Sequence, residues 1–102
     1  MEDKRSFQQT MEEEINRLGR KIDQILTDAQ IHARAEFERQ RETLPPKLNK
    51  ARRRLEELKQ TSGEAWVELK PGLQRSWEEL RKSVDAAAAK FSRGTTRKSG
   101  AE

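Results

Sequence analysis

The sequence predicts an all-helical protein, and three observations carry this prediction. Apolar residues recur every three or four positions through most of the chain, the spacing of one face of a helix. Only 31% of the 102 residues are hydrophobic, whereas 39% are charged. The formal net charge is only +4, whereas disordered chains of low hydrophobicity usually carry a large net charge. Such a chain suits long helices that share a narrow apolar seam.

The first segment, residues 3–43, is predicted to form one long helix. Acidic Asp3 stands at its start, where the helix dipole favours negative charge, and no proline interrupts it. Its apolar residues fall within an arc of about 80° on a helical wheel. They are Phe7, Met11, Ile15, Leu18, Ile22, Ile25, Ala29 and Ala33.

Pro45-Pro46 predicts the end of this helix. Each proline removes a backbone donor and disfavours helical geometry in the residue before it, so Leu44 and Pro45 should be non-helical. Pro46 suits the first position of a second helix, about residues 46–60. The apolar seam continues there through Leu48, Ala51, Leu55 and Leu58.

The segment from Thr61 to Glu64 gives conflicting signals. Thr61 and Glu64 have the spacing of a capping box, and Gly63 lowers helix propensity by about 1 kcal/mol. The apolar phase nevertheless continues across them. We expect a helix start or a kink here, with an unbroken helix as the alternative.

The third helix, about residues 62–92, carries the clearest amphipathic stripe. Its apolar residues lie within an arc of about 100°, and Pro71 predicts a kink. This stripe is the candidate interaction face, made of Trp66, Leu69, Leu73, Trp77, Leu80, Val84 and Phe91. Residues 93–102 contain almost no apolar side chain and are predicted to be a disordered tail.

These segments favour a single domain over residues 1–92, an antiparallel helical hairpin or coiled coil. Residues 3–43 would pair with a second arm, residues 46–92, that is kinked near residues 61–63. A three-helix bundle, in which the third helix folds back at Gly63, is the alternative. A two-helix seam is marginal alone, so the hairpin would need to self-associate.

An eleven-residue repeat connects the two tryptophans. The two copies are Ala65-Trp66-Val67-Glu68-Leu69-Lys70 and Ser76-Trp77-Glu78-Glu79-Leu80-Arg81. Eleven residues make three turns of a nearly straight helix, so both indoles lie on one face. With its proline and flanking charges, this pattern resembles the helical repeats of exchangeable apolipoproteins.

Residues 30–91 more closely resemble small bacterial coiled-coil domain proteins of unknown function. The segment Ser62-Gly63-Glu64-Ala65-Trp66, followed by Trp77-Glu78-Glu79-Leu80, carries this resemblance. It implies a helical fold and a soluble protein, and it implies no active site. The Pro45-Pro46 pair departs from the family pattern.

The composition argues against an enzyme, a cofactor or a small-molecule substrate. The chain has no Cys, no Tyr and one His, and a narrow helical seam offers no pocket that excludes water. His32 and Glu36 have a spacing that can support a metal, but two mixed ligands do not make a site. A surface histidine is the favoured interpretation, and no metal is expected.

The densest basic cluster could contact nucleic-acid phosphate or anionic lipid. It consists of Lys47, Lys50, Arg52, Arg53 and Arg54. Three consecutive arginines point in three directions on a helix, so a solvated helix face is favoured. Nucleic acid is therefore disfavoured as a partner.

The tryptophans allow two interpretations. In the first, they pack into the seam against Leu18, Ile22 or Ile25 of the first helix. In the second, they anchor the third helix in a membrane interface or in a partner's groove.

We therefore expect a non-enzymatic structural or protein-interaction coiled-coil module of unknown specific role. Its partner would be a second copy or another helical protein. A peripheral membrane or lipid-surface protein is the alternative, and weak nonspecific nucleic-acid binding is a second one. No secretory signal and no apolar run of about 18 residues is present. The expectation is a soluble, cytoplasmic protein that could lie at a membrane surface.

Overall fold

The chain forms three α-helices. The computed structural model describes the backbone of residues 3–100 and the side chains of residues 3–90. Helix α1 is Lys4–His32, α2 is Arg34–Gln60 and α3 is Trp66–Gly100, and the described residues contain no strand. The predicted all-helical fold is confirmed. The predicted disordered tail, residues 93–102, lies outside the described side chains and stays a prediction.

Helix α1 begins where the sequence predicts. Asp3 is its N-cap, and the carboxylate Oδ1 accepts a hydrogen bond of 2.8 Å from the backbone N–H of Ser6. This bond favours the charged carboxylate and lowers the pKa of Asp3. The cap satisfies one of the free N–H groups in the first turn.

The predicted helix over residues 3–43 is wrong, because the chain turns at Ala33. Its φ of −152° and ψ of 80° end α1 and precede α2 directly. The backbone N–H of Ala33 donates to the carbonyl of Ala29, and its own carbonyl accepts from Phe37. No side chain between Ala29 and Gln40 is buried, so a turn here costs little packing. The turn lets α2 fold back against α1.

The predicted break at Pro45-Pro46 is also wrong, since both prolines lie inside α2. They remove the donors that would bond the carbonyls of Arg41 and Glu42. Both of those residues are exposed, so water can reach this side of the helix. Leu44, one position before the prolines, is fully buried. We infer that packing of this continuous apolar face offsets the lost backbone hydrogen bonds.

The second turn lies at residues 61–65, and α3 folds back there. Gly63 has a φ of +68°, a left-handed conformation that an L side chain rarely adopts. The hydroxyl of Thr61 donates to the carbonyl of Glu57 at 2.7 Å. Thr61 therefore ends α2 rather than starting α3, and α3 begins at Trp66 instead of residue 62.

The result is a three-helix bundle, the alternative architecture, rather than a two-armed hairpin. All three helix pairs are in contact. Helix α3 continues through Pro71 and runs antiparallel to α2 and parallel to α1. One continuous core joins them, formed by Phe7, Met11, Ile15, Leu18, Ile22, Ile25, Leu44, Leu48, Ala51, Leu55, Leu58, Leu73, Leu80, Val84 and Ala87. The third helix thus covers, within one chain, the seam that a hairpin would leave open.

Candidate interaction surfaces

The candidate interaction face of α3 points into the bundle. Leu73, Leu80 and Val84 are fully buried. Trp66 and Trp77 are half-buried and pack against the core, and Leu69 is half-buried as well. The Phe91 side chain lies outside the described residues. This stripe is therefore mainly core in the folded monomer.

Trp66 packs at the end of the bundle where α1 begins. Its ring centroid lies 6.2 Å from that of Phe7, with the planes tilted by 31°. Lys70 Nζ lies 5.1 Å from the Phe7 centroid and 5.9 Å from that of Trp66. A cation over two aromatic faces stabilises this arrangement electrostatically. For Trp66 the predicted contact with Leu18, Ile22 or Ile25 is wrong, since α3 starts beside the first turn of α1.

Trp77 has one unsatisfied polar atom. Its indole Nε1 is buried and has no hydrogen-bond partner. Trp77 also lines an open groove of about 510 Å³ together with Met11 and Pro71. Arg81 lies over the indole, with its guanidinium carbon 5.7 Å from the ring centroid. A buried donor without an acceptor costs about 1 to 3 kcal/mol, so this part of the α1/α3 contact is under-satisfied.

Arg81 is held in place by two acidic neighbours on its own helix. It pairs with Glu78 and, at 3.0 Å, with Asp85. The bond from Arg81 lowers the pKa of Glu78, and the same bond raises the pKa of the guanidinium. Of these three residues, Glu78 lines the same groove as Trp77.

The predicted basic cluster is divided between two sides of α2. Lys50 Nζ lies 3.8 Å from Glu79 of α3, and Arg54 pairs with Glu57 on its own helix at 3.6 Å. Arg52 faces α1 instead. Lys47 and Arg53 make no ion pair among the described residues. The five basic residues do not form one patch.

Arg52 lies against Gly19, where α1 and α2 approach closely. A Cβ on Gly19 would meet the Arg52 guanidinium at 3.2 Å and a methyl of Leu48 at 3.6 Å. Asn16 and Asp23 complete an open groove of about 260 Å³ at this position. Arg20 also lines the groove, so two arginines and one carboxylate border it.

Glu36 of α2 contacts α3 near the turn at Ala33. Its carboxylate accepts a hydrogen bond of 2.8 Å from Gln40 and lies 3.2 Å from Lys90 Nζ. The Gln40 amide contributes most to lowering the pKa of Glu36, and Lys90 adds to the effect. His32 is exposed, and no group of three potential metal ligands occurs among the described residues.

Arg75 and Lys82 are two exposed basic residues that the sequence analysis did not single out. They lie on α3, far in sequence from residues 47–54, and only the antiparallel register of α2 and α3 relates them. No local pattern contains that information.

The described helices also include none that is long and apolar enough to cross a membrane.

Comparison with protein-family models, with curated proteins and with solved structures found no match. The resemblance to small bacterial coiled-coil domain proteins therefore stays an expectation.

Proposed function

We propose that this protein is a non-enzymatic structural or protein-interaction module that offers its outer helix faces to a partner. One observation carries the proposal: the apolar stripes of all three helices meet in one core. Ile31 and Val67 are the large apolar side chains left exposed among the described residues, at 69% and 52%. A partner would therefore recognise a charged helical surface and these two apolar positions.

The two positions lie at opposite ends of the bundle. Ile31 stands near the C-terminus of α1, beside the turn at Ala33. Val67 stands in the first helical turn of α3. Single exposed apolar residues are common and need no explanation. Their placement nevertheless suits end-to-end contact with a second copy or with another helical protein, and the proposed compartment is the cytoplasm.

The test combines sedimentation with partner capture. Sedimentation velocity across the micromolar range measures self-association of the full chain. Affinity capture from the native cells then compares it with a variant carrying Ile31→Ser and Val67→Ser. The proposal expects a concentration-dependent dimer or a captured protein whose recovery falls in the variant. A monomer at every concentration, with identical captured proteins, would contradict it.

A lipid-surface role is the second candidate, and the Trp77 indole supports it. Opening α3 away from α1 would expose the tryptophan stripe and free Nε1 to find an acceptor, which it lacks in the bundle. The measure is quenching of tryptophan fluorescence by anionic and neutral vesicles with brominated acyl chains. Quenching at both Trp66 and Trp77, with Trp66→Phe and Trp77→Phe as the single-indole variants, would support insertion. Unchanged emission with both kinds of vesicle excludes it.

A further inference from the structure

Two ion pairs establish how α2 and α3 align. Lys50 Nζ lies 3.8 Å from Glu79, and Lys90 Nζ lies 3.2 Å from Glu36. Both pairs fit one antiparallel register. On one side of the Lys50–Glu79 pair, that register places Lys47 of α2 at the same level along the bundle as Lys82 of α3. On the other side, it places Arg54 at the level of Arg75.

This alignment brings basic residues from two helices together, in what we call the basic α2/α3 face. The face consists of Lys47, Lys50, Arg54, Arg75 and Lys82. Three carboxylates lie close to it. Glu79 pairs with Lys50, Glu57 pairs with Arg54, and Glu78, whose pKa Lys82 helps to lower, pairs with Arg81. Lys47, Arg75 and Lys82 make no ion pair among the described residues, and Arg75 and Lys82 are exposed. The face therefore has five cations and three neighbouring carboxylates, which leaves it with a net positive charge.

The face also lacks an apolar anchor. The α3 positions on this side are small, such as Gly72, Ser83 and Ala86. The exposed large apolar residues of the described chain, Ile31 and Val67, lie at the ends of the bundle instead. Protein interfaces usually centre on a few buried anchors, most often Trp, Tyr or Arg in a pocket, whereas non-specific binding to a phosphate backbone comes mainly from charge. A polyanionic backbone fits this surface better than a protein does.

We propose that the basic α2/α3 face binds the phosphate backbone of nucleic acid without sequence preference. Lys47 and Arg54 stand about 10 Å apart along the α2 axis. One strand of a duplex presents about three phosphates over that length. The sequence disfavoured nucleic acid because residues 52–54 diverge, but the cations that α3 adds do not depend on Arg52 or Arg53.

The test is fluorescence anisotropy of a labelled 20-base-pair duplex of mixed sequence, titrated with the full chain at several salt concentrations. The face variant carries K47Q, R75Q and K82Q. The control variant carries R5Q, R20Q and K21Q, which removes the same charge from α1 residues that also make no ion pair among the described residues. Circular dichroism checks that both variants keep the wild-type helicity.

The face variant should bind more weakly than the control. Its slope of log K against log salt concentration should be shallower than that of the wild type by about 3, at roughly 0.9 per phosphate contact. The control should keep most of the wild-type slope. Equal losses in the two variants, or no binding of the wild type at 50 mM salt, would overturn the proposal.

A second measurement uses the unmodified chain, so it does not depend on how the variants fold. Acetylation of lysines, read by mass spectrometry, should slow at Lys47 and Lys82 when the duplex is added, and remain unchanged at Lys21. Poly-glutamate serves as the acidic polypeptide for comparison. If it protects these lysines and the duplex does not, the face recognises acidic protein and the proposal is wrong.

Discussion

At the scale of single residues, backbone conformation rather than packing decides where a glycine is required, and two glycines illustrate this. Gly63 has a positive φ, and a Cβ there would meet nothing within 4 Å. Gly72 has equally open surroundings but sits inside α3. Space is therefore available at both positions, and only the conformation differs.

Substitution of the two glycines should have opposite effects. Gly63→Ala should lower the free energy of unfolding by about 1 kcal/mol, because L residues are strained in the left-handed region. Gly72→Ala should raise it by up to about 1 kcal/mol, because Ala is the better helix former. Urea unfolding measures both. A stabilising Gly63→Ala would mean that the turn between α2 and α3 is not formed as described.

Glu36 predicts a pH dependence of stability. Its pKa is lowered in the folded state, so its stabilising contribution is complete above the unfolded pKa and is lost as pH falls through the lower folded value. Glu36→Gln should therefore lose less stability than the wild type on acidification. Glu56→Gln, at an exposed position without an ion pair among the described residues, is the control and should follow the wild type. Parallel curves for all three proteins would contradict the role of Glu36.

At the scale of the helices, the periodicity of the sequence identified the buried faces but not every helix boundary. The apolar residues from Phe7 to Ala29 lie on one buried face of α1, as predicted. Gly63 lies in the turn that only the alternative three-helix architecture placed there. The turn at Ala33 has no glycine or proline to reveal it. Pro45-Pro46 is a strong local break signal that packing of the whole α2 face overrides. Both errors concern places where tertiary contacts, absent from local sequence, decide the outcome.

The prolines in α2 can be tested directly. Pro45→Ala and Pro46→Ala each restore a backbone N–H that can donate within the helix, so each should raise the free energy of unfolding. An increase of about 1 to 2 kcal/mol is expected, since loss of proline also frees the unfolded chain. Thermal and urea unfolding measure it. Neutral or destabilising substitutions would indicate that a helix boundary lies at these residues after all.

The α3 stripe can be tested with a matched pair of truncations. Leu80→Ala removes a fully buried side chain and should cost about 2 to 5 kcal/mol. Val67→Ala changes a residue that is 52% exposed and should cost less than about 0.5 kcal/mol. Similar small effects at both positions would show that the stripe is not core in solution.

At the scale of the whole molecule, the bundle separates its apolar and charged surfaces. The candidate interaction face of α3, which the sequence singled out most clearly, is largely buried in the chain's own core. The basic face appears only when α2 and α3 are aligned, since Arg75 and Lys82 are distant in sequence from Lys47. Local patterns can predict which side chains share one helix face, but not which faces of different helices become neighbours.

The central claim is that α3 folds back onto the hairpin of α1 and α2 within one chain. Nuclear Overhauser contacts of the Trp66 indole test it most directly, because Phe7 lies 6.2 Å away between ring centroids. A sample that mixes isotope-labelled and unlabelled chains distinguishes contacts within a chain from contacts between chains. We predict contacts from Trp66 to Phe7 within one chain. Contacts from Trp66 to Ile22 or Ile25 instead would indicate the two-armed hairpin and contradict the bundle.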